Sequence, residues 1–333
     1  MFRLIRYVIF AALAFMVAVW ISGQSRADAG IERIIVVDPV SGVQAPTVVV
    51  YPTDAEANQI TLGPYNIQAL RGAVPAESAR GLILVSHGAG ASALAHISAA
   101  VALAEAGFVV AAPQHPGDNF TDFTRQGTWQ VYAGRPKTLS AVIDALSADD
   151  RFAGMLEGKP VGAFGLSMGG YTVLALAGAQ PSLARLGEFC ARHATDAACV
   201  LGISRPSRHQ RDRPLAALAD PRVGAALVMA PATAMFATDG LAGIGIPVRF
   251  YTAGRDGIVH PDLHAEPFRS HFPAAFEYVR VEDAGHLSFA TPLPPDIVRL
   301  LPPYLHDPPG FDRAAFQARL DAEIVAFFTR TLR

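Results

Sequence analysis

Gly165-Leu166-Ser167-Met168-Gly169 constrains this chain more tightly than any other stretch. The apolar run Val161-Gly162-Ala163-Phe164 precedes it, and Tyr171-Thr172-Val173-Leu174-Ala175-Leu176-Ala177 follows. The string therefore reads as strand, sharp turn and helix, with a serine at the apex. A serine hydroxyl is a weak nucleophile at neutral pH and must be lifted clear of the backbone, where a base can reach it. Gly165 and Gly169, two residues to either side, let strand and helix pass without a Cβ clash. The Met168 N–H, at the start of the new helix, then faces the position of a tetrahedral oxyanion. Taken alone, such a pentapeptide is as readily a tight turn with a solvated serine. Its meaning depends on what the rest of the chain supplies.

The chain has 333 residues, a formal net charge of −2 and scattered basic residues. It is long enough for a full core, and nothing in its charge pattern points to a nucleic-acid partner. Arg3 and Arg6 precede an apolar stretch from Val8 to Ile21, followed by a polar segment and Ala27-Asp28-Ala29. Charged, apolar and A-x-A segments in that order describe a secretory signal over residues 1–29, cleaved after Ala29. The apolar stretch is shorter than the roughly 20 residues that span a bilayer, so no stable membrane anchor is expected after cleavage. The mature protein is expected in the periplasm or secreted, as one domain over residues 30–333. In an oxidising compartment Cys190 and Cys199, the whole cysteine complement, are expected to form a disulfide.

Strands are predicted at Arg33–Asp38 and Thr47–Tyr51, joined around Ser41-Gly42, then at Gly81–Ser86 and Phe108–Ala112. Helices are predicted at Ile97–Ala106 and Leu139–Leu146. Beyond the helix after Ser167 the pattern loosens. Pro181–Pro221, which holds both cysteines and Arg205, Arg208, Arg211 and Arg213, reads as a small disulfide-stapled insertion, and pocket size depends on how it lies over Ser167. Strands resume at Val223–Met229, Val248–Thr252 and Phe276–Val281, and an amphipathic helix closes the chain with Phe316, Leu320, Ile324 and Phe327 on one face. Strands alternating with helices imply an α/β fold, a doubly wound and mostly parallel sheet with its site at the strands' C-terminal ends.

A nucleophilic Ser167 requires a base and a group to orient it, each just past a strand at the same sheet edge. Asp256 follows Val248–Thr252 and His286 follows Phe276–Val281, which is the order Ser, Asp, His that such a sheet demands. A second oxyanion donor should come from Ser86-His87-Gly88-Ala89-Gly90, where Gly88 and Gly90 free the backbone to turn the Ala89 N–H inward. His87 reads as a brace for this loop, and His87 and His115 are placed as possible pocket lining. His260, Asp262, His264 and His271 carry a spacing that could suit a metal, but Pro261 and Pro267 break the segment. The expected chemistry uses no metal and no cofactor.

These stretches, together with Gly107-Phe108-Val109-Val110-Ala111-Ala112-Pro113-Gln114-His115-Pro116-Gly117 and Gly134-Arg135-Pro136, resemble the α/β-hydrolase superfamily. More narrowly, the chain is similar to exported dienelactone-hydrolase-like proteins related to platelet-activating-factor acetylhydrolase and to polyester-degrading esterases. The resemblance runs from about Arg33 to the C-terminus. It implies a serine esterase acting on a small-molecule or polymer ester. Two departures stand out. Dienelactone hydrolase uses a cysteine where this chain has Ser167, and the acetylhydrolase branch carries its acid where this chain reads Met229-Ala230-Pro231-Ala232. Amide hydrolysis, acyl transfer and a non-catalytic binding module on the same fold remain alternatives at this stage.

Overall fold

Ten strands form one sheet. The structure is a computed structural model that describes residues 27–200, 213–215 and 217–333. The long hairpin of β1 (Asp28–Val37) and β2 (Gln44–Thr53) is antiparallel, with Val37 opposite Gln44 across the turn. A second hairpin, β3 (Asn58–Leu62) and β4 (Tyr65–Arg71), turns at Gly63-Pro64 and extends the sheet beyond β1. Sequence reading passed over this pair. Its alternation of buried Tyr65, Ile67 and Ala69 with exposed Asn66 and Gln68 is that of a strand covered on one face only.

The remaining strands, β5 (Leu82–Ser86), β6 (Val109–Pro113), β7 (Val161–Leu166), β8 (Val223–Met229), β9 (Val248–Ala253) and β10 (Phe276–Val281), are mutually parallel. Buried on both faces, β5, β6 and β7 carry almost uninterrupted small and branched apolar residues. Helices cover the two faces: α1 (Ile97–Glu105), α2 (Trp129–Ala148), α3 (Met168–Leu176), α4 (Leu183–Arg192) and α5 (Arg313–Thr331). Two apolar cores result, one on each side of the sheet. The closing helix contributes Phe316, Leu320, Ile324 and Phe327, the stripe read from the sequence, and adds Phe328.

Helix α2 is longer than its apolar periodicity suggested because it runs through Pro136. Proline has no N–H to give the carbonyl four residues back, that of Tyr132. The Tyr171 hydroxyl on α3 donates to that carbonyl instead, at 3.0 Å.

The N-terminal residues 1–26, and with them most of the expected signal, lie outside the described residues. Asp28 and Ala29 belong to β1, where Asp28 pairs with Thr53 and its carboxylate accepts the Ala57 N–H. Cleavage after Ala29 would take the first two residues from this strand. Among the described residues no helix is long and apolar enough to cross a membrane.

Candidate active site

Ser167 sits between β7 and α3 with φ 59° and ψ −117°, in the left-handed region that a side chain seldom enters. The turn is fixed from both sides: the Ser167 N–H donates to Met229 O, and the Ser167 carbonyl accepts from Tyr171 and Ala232. Its glycines answer to packing. A Cβ on Gly169 would strike the Ser86 carbonyl of the neighbouring strand, and one on Gly165 would lie 2.5 Å from the Gly169 backbone. Strand and helix can approach this closely only without those side chains.

Asp256 and His286 follow β9 and β10, at the same end of the sheet as Ser167. The Asp256 carboxylate is 3% exposed, and one of its oxygens accepts the Ile258 and Val259 N–H groups, both at 2.8 Å. Its other oxygen lies 2.7 Å from His286 Nδ1. With both amides donating to the first oxygen, the second is presented to the ring, so Nδ1 carries the proton and Nε2 is left as the basic nitrogen. Ser167 and His286 line the same cavity wall, at 8% and 6% exposure.

The loop after β5 approaches the elbow at Gly88, where an added Cβ would lie 3.7 Å from Ser167 Cβ. Gly90 takes φ 64° and backs onto Phe123, so a side chain there would meet both backbone strain and the ring. Beneath the loop lies a polar cluster that sequence reading did not assemble. Arg135 of α2 is 2% exposed and pairs with Asp118 at 2.9 Å. Its guanidinium also donates to the His87 carbonyl at 2.7 Å and to the Gly88 carbonyl at 3.2 Å. The other Asp118 oxygen accepts the Gly90 N–H and Gln126 Nε2.

His87 and His115 are not cavity lining, contrary to expectation. Both are buried in this cluster, with ring centroids 4.8 Å apart. His87 Nδ1 donates to the Gly88 carbonyl at 2.7 Å while Nε2 accepts the His115 N–H at 3.1 Å, so the ring is neutral with its tautomer fixed. His115 Nε2 meets the Ser86 hydroxyl at 2.9 Å. Burial, reinforced by the Arg135 charge, holds both imidazoles well below their ordinary pKa. Apart from the local His87–Gly88 bond, the contacts of His87 and His115 in this cluster span 28 or more residues of chain, so motif spacing carried no trace of it.

The cavity that Ser167 and His286 open onto has a volume of about 1070 Å³. Gly88, Ala89 and Leu166 line it beside them. Its walls come from the β3–β4 hairpin through Leu62 and Tyr65, and from the segment after His286 through Leu287, Leu293, Val298 and Leu301. None of the described residues of the 181–221 insertion lines it. Part of that insertion, 201–212 with Arg205, Arg208 and Arg211, lies outside the described residues. Arg213 stacks over Trp129 at 4.7 Å. The Cys190–Cys199 disulfide is present, with Cα atoms 5.5 Å apart. It ties α4 to a short helical turn, Ala197–Val200, and this unit packs through Phe189 against His264. His264 Nε2 lies 3.6 Å from Asp196, away from the large cavity.

No family model and no curated protein matches the chain. Among solved structures, a ferulic acid esterase from Streptomyces cinnamoneus is similar over 93% of this chain and 91% of that one, with a TM-score of 0.62 and 18% sequence identity. At that identity the likeness is one of fold. The architecture, a large and mostly parallel sheet with helices on both faces, is the α/β-hydrolase fold.

Proposed function

We propose that this chain is an exported serine hydrolase that cleaves carboxylic esters through an acyl-enzyme. The observation that carries the reading is the Asp256–His286 contact of 2.7 Å on a cavity wall shared with a serine held at φ 59°. Ser167 Oγ attacks the ester carbonyl as His286 Nε2 takes its proton, and the Met168 and Ala89 N–H groups receive the oxyanion. His286 then gives the proton to the leaving alkoxide, and water repeats the sequence to free the acid. Asp256 holds the imidazole in the required tautomer and stabilises the imidazolium.

Esters are preferred on the resemblance to serine esterases and on the fold shared with a ferulic acid esterase. The largely aliphatic cavity suits an ester with a large apolar acyl or alcohol group, small-molecule or polymeric. Export is supported by the disulfide.

Incubation with a fluorophosphonate probe and turnover of p-nitrophenyl esters test the reading together. Wild-type protein is expected to label on Ser167 and to hydrolyse the esters, and Ser167→Ala to do neither. Folded wild-type protein that neither labels nor turns over would overturn it. Faster cleavage of amides than of esters with the same acyl group would overturn the ester assignment alone.

A further inference from the structure

The buried Arg135–Asp118 pair holds three backbone groups of the loop after β5: the His87 and Gly88 carbonyls through Arg135, and the Gly90 N–H through Asp118. Between them lies the Gly88–Ala89 peptide. Its carbonyl is held by Arg135 Nη2 at 3.2 Å, by His87 Nδ1 at 2.7 Å and by the Ala91 N–H at 3.2 Å. A trans peptide is planar, with its C=O and N–H pointing in opposite directions. Anchoring the Gly88 carbonyl toward buried Arg135 therefore turns the Ala89 N–H away from it. Ala89 and Gly88 line the cavity beside Ser167.

We propose that Arg135, oriented by Asp118, is a positioning residue that fixes the Gly88–Ala89 peptide plane so that the Ala89 N–H stands ready for the developing oxyanion. This rests on the serine-hydrolase reading above and adds to it a residue that touches neither substrate nor Ser167. The arrangement needs a guanidinium. Three of its nitrogens donate in one plane, to Asp118 Oδ2 through Nε, to His87 O and the Ser86 hydroxyl through Nη1, and to Gly88 O through Nη2. An ammonium on a flexible stem cannot reproduce that fork. His87 acts in the same direction from the other side of the carbonyl. Its neutral ring donates to Gly88 O and accepts from the His115 N–H, closing the cluster. Without the clamp the peptide can flip, and its carbonyl would then oppose the negative charge that the N–H should stabilise.

The test compares wild type with Arg135→Lys, with Arg135→Gly in the presence and absence of guanidinium chloride at low millimolar concentration, and with Asp118→Asn. Two quantities are measured: kcat and KM for p-nitrophenyl butyrate, and the affinity of an alkyl trifluoromethyl ketone, whose adduct with a serine hydroxyl carries the oxyanion. Loss of one oxyanion donor costs about 10²–10³ in kcat. The expected result is a kcat loss approaching that range in Arg135→Lys and Arg135→Gly, with KM within about threefold of wild type. Ketone affinity is expected to fall by the same factor as kcat/KM, and guanidinium to restore part of the Arg135→Gly loss. A folded Arg135→Lys that keeps wild-type kcat and ketone affinity overturns the proposal, as does a loss confined to KM. If the Arg135 variants do not fold, Asp118→Asn decides by the same two quantities. A wild-type protein inert to both probes would sink the serine-hydrolase reading itself, which separates that failure from this one.

Discussion

Ser167 pays a conformational cost to be where it is. Its backbone lies at φ 59° and ψ −117°, and a non-glycine residue held in such a region costs about 1–3 kcal/mol. Glycine enters that region freely, whereas alanine keeps the Cβ and the strain. Ser167→Gly is therefore expected to be more stable than Ser167→Ala by roughly 1 kcal/mol in urea unfolding, with both inactive. Equal stabilities would mean that the surrounding turn absorbs the strain. At this scale the sequence was legible wherever chemistry is local. The elbow glycines, Ser167 and the strand-end Asp256 and His286 all announce themselves within a few residues of a strand. Arg135 stood in plain view as part of Gly134-Arg135-Pro136, but its meaning lies in Ser86, His87, Gly88 and Asp118, which only the fold gathers. A single chain gives no means of pairing residues so far apart.

The elements were legible in proportion to their apolar content. The inner parallel strands show as apolar runs because both faces are buried, and the closing helix as a stripe because one face is. The β3–β4 hairpin, half polar, did not stand out, yet it builds one wall of the cavity. Helix α2 was read only as Leu139–Leu146, and its N-terminal half runs through Pro136, where the Tyr171 hydroxyl supplies the missing donor from outside the helix. The insertion was recognised as an element, but its neighbours were not legible. Its disulfide closes a short loop at a sequence separation of 9, and α4 packs toward His264 rather than over Ser167. Cys190→Ser/Cys199→Ser is thus expected to lose about 2–3 kcal/mol of stability, the loop-closure scale for so short a bridge. Its kcat/KM for p-nitrophenyl butyrate should stay within about twofold of wild type. A tenfold fall would mean that the insertion reaches the site after all.

For the molecule as a whole, acid is the exposed flank. His87, His96 and His115 are buried, and burial lowers all three, His96 to about 4. Above about pH 6.5 they are neutral in both folded and unfolded chains. As pH falls below 6.5 the unfolded chain takes up protons that the folded one refuses, so stability is lost as pH falls, the His96 share of it between about pH 6.5 and 4. Asp321 works the other way. Burial raises its carboxyl to about 6, so the folded form takes a proton first and gains stability as pH falls through 6. Three imidazoles against one carboxyl should leave a net fall in the unfolding midpoint from pH 7 to 5, and His96→Phe should flatten it. A flat wild-type profile would mean that water reaches these rings. The sheet itself is unevenly secured. Ser167 hangs from β7, which is buried along its whole length, while His286 hangs from the outermost β10, which is half-buried throughout. Local opening begins where backbone and side chains are least covered. If the proposed mechanism holds, fraying of this one edge strand would part His286 from Ser167 and silence the protein with its core still folded.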